Sequence, residues 1–256
     1  MVYYFKNSYV TDRISLDVRS LAFKFGLGFF ETIFYNGKII CQLEEHTSRI
    51  QSGLKTYQIA YETVDFEQVI REVLMRNELV NEYARINMYY PVESESSPAS
   101  PLIAAYPYSP EPDRAFRLAI SPYHHQSHLC AHKSMNYMHF YLAQMEARRR
   151  GFDDALLTDR SGRVLETSTA SLVFSDGESM FTPAAGEQLP GIALKIAQTV
   201  LDIGEKYIST DDLPEFKHVY ILNSLIGMKP VVKIDDLAYA PDPATCAQVS
   251  GEVLRL

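Results

Sequence analysis

His124, His125, His128, Cys130 and His132 crowd nine consecutive positions, and Lys133 follows at once. Imidazole and thiolate are zinc ligands, so the first chemistry this cluster suggests is a metal centre. No second Cys/His group stands elsewhere in the chain to complete a tetrahedral set, and the spacing matches no recognised zinc pattern. A polar loop is the better reading, and no metal is expected. Gly26-x-Gly28 lacks the third glycine of a dinucleotide fingerprint, and neither a phosphate loop of the GxxxxGKS/T type nor a GxSxG elbow is present. On spacing alone, Lys133 reads as a surface lysine and Glu166 as an exposed strand carboxylate.

Composition narrows the function classes. The chain has 256 residues, 46% hydrophobic and 22% charged, which is an ordinary globular balance. Lys plus Arg total 24 against 32 for Asp plus Glu, a formal net charge of −8. So acidic a chain is a poor general binder of nucleic acid or of anionic membranes, both of which reward positive charge. No apolar run approaches the roughly 18 residues that span a bilayer. The start, Met1-Val-Tyr-Tyr-Phe-Lys6-Asn7, lacks the basic and apolar regions of a signal peptide. Cys41, Cys130 and Cys246 are odd in number, far apart and in no CxxC pair, which fits free thiols in a reducing compartment. The expected location is cytoplasmic.

The elements that must position these side chains are partly legible. Phe29 to Tyr35 is rich in aromatic and β-branched residues and reads as a strand, with Asn36-Gly37 as its hairpin turn and Lys38 to Cys41 as the return. A helix follows to about Tyr57. A second opens at Asp65, a side-chain cap with Gln68 three residues on, and its apolar positions Phe66, Val69, Ile70, Val73 and Leu74 recur at helical spacing. Strands are expected at 83–90, 101–106 and 115–120. Asn136 to Arg150 reads as a helix with Gly151 just past its end. A meander then covers Asp154–Thr158, Arg163–Glu166 and Ala170–Phe174. A helix is expected from Gly191 to Gly204, and strands at Tyr220–Leu222 and Val231–Ile234. The expected organisation is an α+β chain of two domains, 1–119 and 120–256, the second carrying Lys133.

Several segments acquire meaning through their order. They are Phe25-Gly-Leu-Gly-Phe-Phe-Glu-Thr32, His46-Thr-Ser-Arg49, Lys133-Ser-Met-Asn136, Gly151-Phe-Asp-Asp-Ala155, Gly162-Arg-Val-Leu-Glu166, Leu189-Pro-Gly-Ile192 and Asn223-Ser-Leu-Ile-Gly-Met-Lys-Pro-Val231. Together they resemble the class IV aminotransferase family of pyridoxal-phosphate enzymes, which holds branched-chain and D-amino-acid aminotransferases and aminodeoxychorismate lyases. The resemblance implies a fold-type IV enzyme of two lobes, a smaller N-terminal α/β lobe and a larger C-terminal lobe with a mixed sheet or pseudo-barrel. It also implies a homodimer.

The resemblance assigns roles residue by residue. Lys133 would bond to the cofactor aldehyde and shuttle the substrate proton; an amine does this only when neutral, whereas a lysine in water titrates near about 10.4. Glu166 would face the pyridine nitrogen. A carboxylate about 4 Å from a cation at an effective dielectric of about 20 contributes roughly 4 kcal/mol, enough to keep that nitrogen protonated. Arg49, the backbone amides of Ile192 and Ala193 at a helix start, and Asn223 with the Ser224 hydroxyl would hold the phosphate. Tyr137 would contact the cofactor, although it follows Lys133 by four residues where the branched-chain enzymes have five. Phe30, Tyr35, Tyr83, Arg85 and Leu225 would face the substrate.

The sequence departs from the family pattern at three places. Ser171 stands where asparagine is frequent, Ala193-Leu194 replaces Thr-Arg, and Pro91 to Pro98 replaces an arginine-glycine loop that binds substrate carboxylates in several members. Arg85, with Tyr83 on the same face of its strand, is a candidate substitute, and a solvated strand arginine is the equal alternative. Asn-Ser-Leu-x-Gly-x-x-Pro-Val and Lys-x-x-Asn resemble the lyases most, which implies conversion of 4-amino-4-deoxychorismate to 4-aminobenzoate and pyruvate; an amino-acid transaminase is the alternative, and a cofactor-free binding relative a third.

Overall fold

The computed structural model describes residues 1–125, 127–184, 186 and 188–256. The chain divides into two compact units, Met1–Pro110 with His132–Tyr137, and Glu111–Ala131 with Met138–Leu256. The expected boundary at 119/120 differs from this division in two ways. Phe116–His124 is a strand of the second unit's sheet, so the change falls earlier. The segment around Lys133 groups with the first unit because it pairs with that unit's backbone.

The first unit contains β1 (Val2–Phe5), β2 (Ser8–Thr11), α1 (Leu21–Phe25), β3 (Gly28–Asn36), α2 (Leu43–Thr56), α3 (Phe66–Arg76), β4 (Tyr83–Pro91) and β5 (Leu102–Pro107). Its antiparallel sheet has the order β2-β1-β5-β4-β3. The period-2 alternation of β3 turns Phe29, Ile33 and Tyr35 into one core with Ile86, Met88 and Tyr90 of β4. Helices α2 and α3 cover that core with Ile50, Leu54, Ile70, Val73 and Leu74. Asp65 caps α3 as expected, accepting the Gln68 amide at 3.0 Å. Gly53 lets α2 approach closely, since a Cβ there would stand 2.9 Å from the Phe29 ring.

The expected return strand Lys38–Cys41 shrinks to a single bridge, Tyr35 to Ile40. Asn36 Oδ1 accepts the amides of Lys38 and Ile39, and Gln42 adopts left-handed backbone at φ 50 to enter α2, so no ladder is built.

The second unit contains β6 (Phe116–His124), α4 (Met138–Arg149), β7 (Asp154–Thr158), β8 (Val164–Thr167), β9 (Ser171–Ser175), β10 (Met180–Pro183), α5 (Ile192–Val200), β11 (Ile203–Lys206), β12 (His218–Asn223), β13 (Gly227–Ile234), β14 (Leu237–Ala238) and α6 (Pro243–Leu254). Its mixed sheet runs β11-β10-β9-β12-β13-β6-β7-β8, with β14 beside β13. The core is built from alternate residues such as Leu172 and Phe174 of β9 and Val219 and Ile221 of β12. The helix expected to reach Gly204 stops at Val200, because Gly204 is taken into β11 opposite Phe181. Among the described residues no helix is long and apolar enough to cross a membrane.

Candidate active site

In the first unit, Lys133 is anchored by its backbone to β3. Its carbonyl accepts the Phe30 amide at 2.9 Å, and two residues on Met135 donates to the Gly28 carbonyl at 2.8 Å. Gly28 is required there. Its φ is +151, and a Cβ would meet the Tyr90 carbonyl oxygen at 2.5 Å. The Lys133 Nζ stands 4.6 Å from the centre of the Phe30 ring and 5.2 Å from that of Tyr137. Phe30 in turn packs edge-on to Tyr137 and stacks on Tyr89. The structure therefore brings Lys133, Phe30 and Tyr137 together, and adds Tyr89, which sequence reasoning missed because only the strand register sets it opposite Phe30.

Behind them lies a charged set on the core side of β3. Glu31 is fully buried and grips Arg49 with both oxygens, Nε to Oε1 and Nη2 to Oε2, each 2.6 Å. His46 Nδ1 reaches Glu31 Oε2 at 2.7 Å. Burial raises the Glu31 carboxyl, but the Arg49 charge and hydrogen bonds from Arg49 and His46 overcome this and hold it at about 2. Burial pushes His46 below its ordinary value, only partly opposed by Glu31, and the Lys133 charge pushes the same way. Arg49 is thus held in a fixed orientation, with two of its donors committed to Glu31. Glu31 and His46 were also missed; Glu31 and Arg49 lie 18 residues apart on different elements.

Phe30, Arg85 and Tyr83 share the opposite face of the sheet, which follows from the register Phe30 to Tyr89, Phe34 to Arg85 and Asn36 to Tyr83. Arg85 is exposed and lies 5.3 Å from the centre of the Tyr106 ring. Tyr35 is a correction. It points to the core face with Phe29 and Ile33, is 2% exposed, and spends its hydroxyl on the Val80 carbonyl, because an odd offset from Phe30 turns it to the other side.

In the second unit, Glu166 lies buried on β8. The chain then turns back into β9, and the turn is fixed by Asp154. This fully buried acid accepts from Ser168 Oγ, from Thr169 Oγ1 at 2.7 Å and from the Ala155 amide at 2.8 Å. Burial raises its carboxyl, opposed by those same bonds. Asn223, at the end of β12, donates to the Thr169 carbonyl at 3.2 Å and accepts the amides of Leu225 and Ile226. That network shapes the Asn223–Ser224–Leu225 turn. Ser171 pairs with Leu222 on one side and abuts Gly191 on the other. A Cβ on Gly191 would stand 2.4 Å from Ser171 Oγ. Gly191 caps α5 without a side chain, and the first-turn amides of Ile192 and Ala193 are buried where the helix offers them no acceptor. The structure thus gathers the start of α5 and the Asn223–Ser224 turn around Ser171, an arrangement of donors suited to an anion.

The histidine cluster disperses. His124 and His128 are exposed, and His132 belongs to the first unit, packed edge-on to Phe29 and Tyr57. His125 and Cys130 stay together and are joined by His139 from α4; one ligand atom of each lies within 4.8 Å of the others. The two rings, however, stack at 26° with centres 4.9 Å apart. Imidazole lone pairs lie in the ring plane, so two stacked rings do not aim at one ion.

The fold of these units is that of the fold-type IV pyridoxal-phosphate enzymes. The branched-chain amino acid aminotransferase of Escherichia coli superposes with a TM-score of 0.87 at 20% identity, covering 98% of this chain and 92% of that one. A Legionella pneumophila structure, named as a candidate 4-amino-4-deoxychorismate lyase, gives 0.83 at 21% identity over 93% and 94%. In sequence, a Rickettsia bellii protein named as a probable branched-chain-amino-acid aminotransferase is 25% identical over 78% of this chain and 75% of its own. The model of the amino-transferase class IV family matches residues 28–234, and the chain belongs to that family.

Family members depend on pyridoxal phosphate, and the residues present fit it. The uncapped, buried start of α5, with a glycine where a side chain would collide, is an anion cradle; Glu166 supplies a buried acid and Lys133 an amine on an aromatic wall.

Proposed function

We propose that the chain is a pyridoxal-phosphate-dependent lyase that converts 4-amino-4-deoxychorismate to 4-aminobenzoate and pyruvate. The observation that carries the reading is the aromatic face of the first unit's sheet, on the side away from its core. Beside Lys133 it presents the rings of Phe30, Tyr89 and Tyr137, and further along β4 the exposed guanidinium of Arg85. Aromatic rings receive a flat ring, and a guanidinium receives its carboxylate. A branched aliphatic side chain has no flat face to lay on those rings. The Asn223–Ser224–Leu225 motif supports the same choice by its resemblance to the lyases.

Bound pyridoxal phosphate supplies the electron sink for a carbanion. The chain's own residues do the rest. Arg49, Ile192, Ala193, Asn223 and Ser224 hold the phosphate, Tyr137 flanks the cofactor, and Glu166 keeps the ring nitrogen protonated. Arg85, Tyr83 and Leu225 are assigned to the substrate. Lys133 Nζ takes the proton from the substrate ring carbon, the C–O bond to the enolpyruvyl group breaks with its electron pair as the ring becomes aromatic, and the departing enolate takes a proton at its methylene carbon to become pyruvate. We place the enzyme in the cytoplasm as a homodimer of two-domain chains.

Amino-acid transamination is the second reading, favoured by the names of the sequence relatives. A product assay separates them. Formation of 4-aminobenzoate from aminodeoxychorismate supports the lyase. Amino-group exchange between 2-oxo acids and L- or D-amino acids, with no 4-aminobenzoate, removes it and leaves the transaminase.

A further inference from the structure

His125 is a buried imidazole with a fixed orientation and an unsatisfied end. Its backbone amide donates to the Thr158 carbonyl at 2.8 Å. Its ring packs against the neighbouring rings of His139, with centres 4.9 Å apart, and Phe140, at 4.6 Å, which themselves lie 4.1 Å from one another. Nδ1 faces the Cys130 Sγ at 4.0 Å. Among the described residues Nε2 has no hydrogen-bond partner; it faces the Glu166 Oε1 at 3.5 Å, with both side chains under a tenth exposed. A thiol donating to Nδ1 leaves the ring proton on Nε2, where it points at the carboxylate. A buried N–H left unmade is costly, and contacts of this kind shorten when a ligand completes the site.

We propose that His125 is a positioning residue for Glu166. Its Nε2–H donates to Oε1, holding the carboxylate ionised with its other oxygen turned outward, and Cys130 sets the tautomer that makes this possible. The inference rests on the reading that Glu166 faces the cofactor's ring nitrogen, and it goes beyond that reading by naming what keeps the acid charged. A donor to a carboxylate stabilises the anion, so a proton shared between Glu166 and a neighbouring base stays on the base.

The test uses the holoprotein loaded with pyridoxal phosphate labelled with 15N at the ring, at one pH. His125→Phe keeps the ring packing and removes the donor; His125→Gln returns a donor. In His125→Phe, cofactor affinity is expected to fall at least tenfold, and the nitrogen signal to move from its protonated toward its unprotonated position. His125→Gln is expected to restore both. Unchanged affinity and signal in His125→Phe overturn the proposal. If His125→Phe does not fold, Cys130→Ala decides: a shift in the same direction supports the proposal, and a nitrogen signal at its original position overturns it. Glu166→Gln separates the two failures. If Glu166→Gln also leaves the signal unmoved, the reading of Glu166 itself is wrong; if Glu166→Gln moves it and the His125 and Cys130 variants do not, only the role of His125 falls.

Discussion

Glu31 holds Arg49 by two parallel bonds of 2.6 Å from a fully buried carboxylate. Replacing that acid strands a guanidinium whose side chain is 14% exposed, and removes the partner of His46. Breaking a buried pair from one side costs about 3–5 kcal/mol. Glu31→Gln is therefore expected to lower the unfolding free energy by that amount and to weaken pyridoxal phosphate binding. Urea denaturation and cofactor titration check the two effects; a variant as stable as the parent would contradict the geometry.

The same pair makes the fold acid-sensitive. Glu31 is held at about 2 against an ordinary 4.5, so its contribution is complete above about 4.5 and disappears as the pH falls toward 2. The depression corresponds to on the order of 3 kcal/mol. His46 is depressed as well, chiefly by burial; it contributes fully above about 6.5 and destabilises the fold as it is forced to charge below that. Both run in one direction. Urea midpoints should hold steady near neutrality and decline progressively from about pH 6.5 downward, and Glu31→Gln should flatten the part below about 4.5.

Gly28→Ala should be costly for backbone reasons alone. The new Cβ meets the Tyr90 carbonyl oxygen at 2.5 Å and the Met135 sulfur at 2.7 Å, at a φ of +151. A loss of about 2–3 kcal/mol is expected, a drop in Tm of roughly 5–10 °C for a chain of this size. Because the Gly28 carbonyl also receives the Met135 amide, displacement of the Lys133 segment should lower activity beyond the stability loss.

Lys133 gives a visible test. Protein loaded with pyridoxal phosphate should be yellow, and Lys133→Ala should lose that absorption while melting within a few degrees of the parent, since the side chain supports no core. A parent protein that stays colourless with added cofactor would remove the enzyme reading.

Cys41, Cys130 and Cys246 are buried thiols outside any disulfide, and burial, reinforced by Asp242, pushes Cys246 up to about 12. Thiolate is the reactive form. Thiol reagents should label none of the three in the native protein and all three in urea, read by mass spectrometry.

Local chemistry was legible from the residues. Asp65 capping α3, Gly151 past the end of α4, and the apolar stripe Phe66-Val69-Ile70-Val73-Leu74 all depend on neighbours within a turn or two. The order of the motifs was enough to place the chain in its family, because each motif keeps its chemistry at a fixed local spacing. Register and packing between distant segments were not so encoded. Tyr35 faces the core and Arg85 the opposite side only because of how β3 pairs with β4. Glu31, His46 and Arg49 meet only when α2 packs on β3, and the Lys133 segment joins the first unit through its bonds to Gly28 and Phe30 and the packing of His132 and Tyr137. His139 joins His125 and Cys130 from a helix begun after the expected cluster had ended. Short-range hydrogen bonds and side-chain spacing set the first group; the second waits on which faces are buried together, a property of the folded chain and not of any stretch of it.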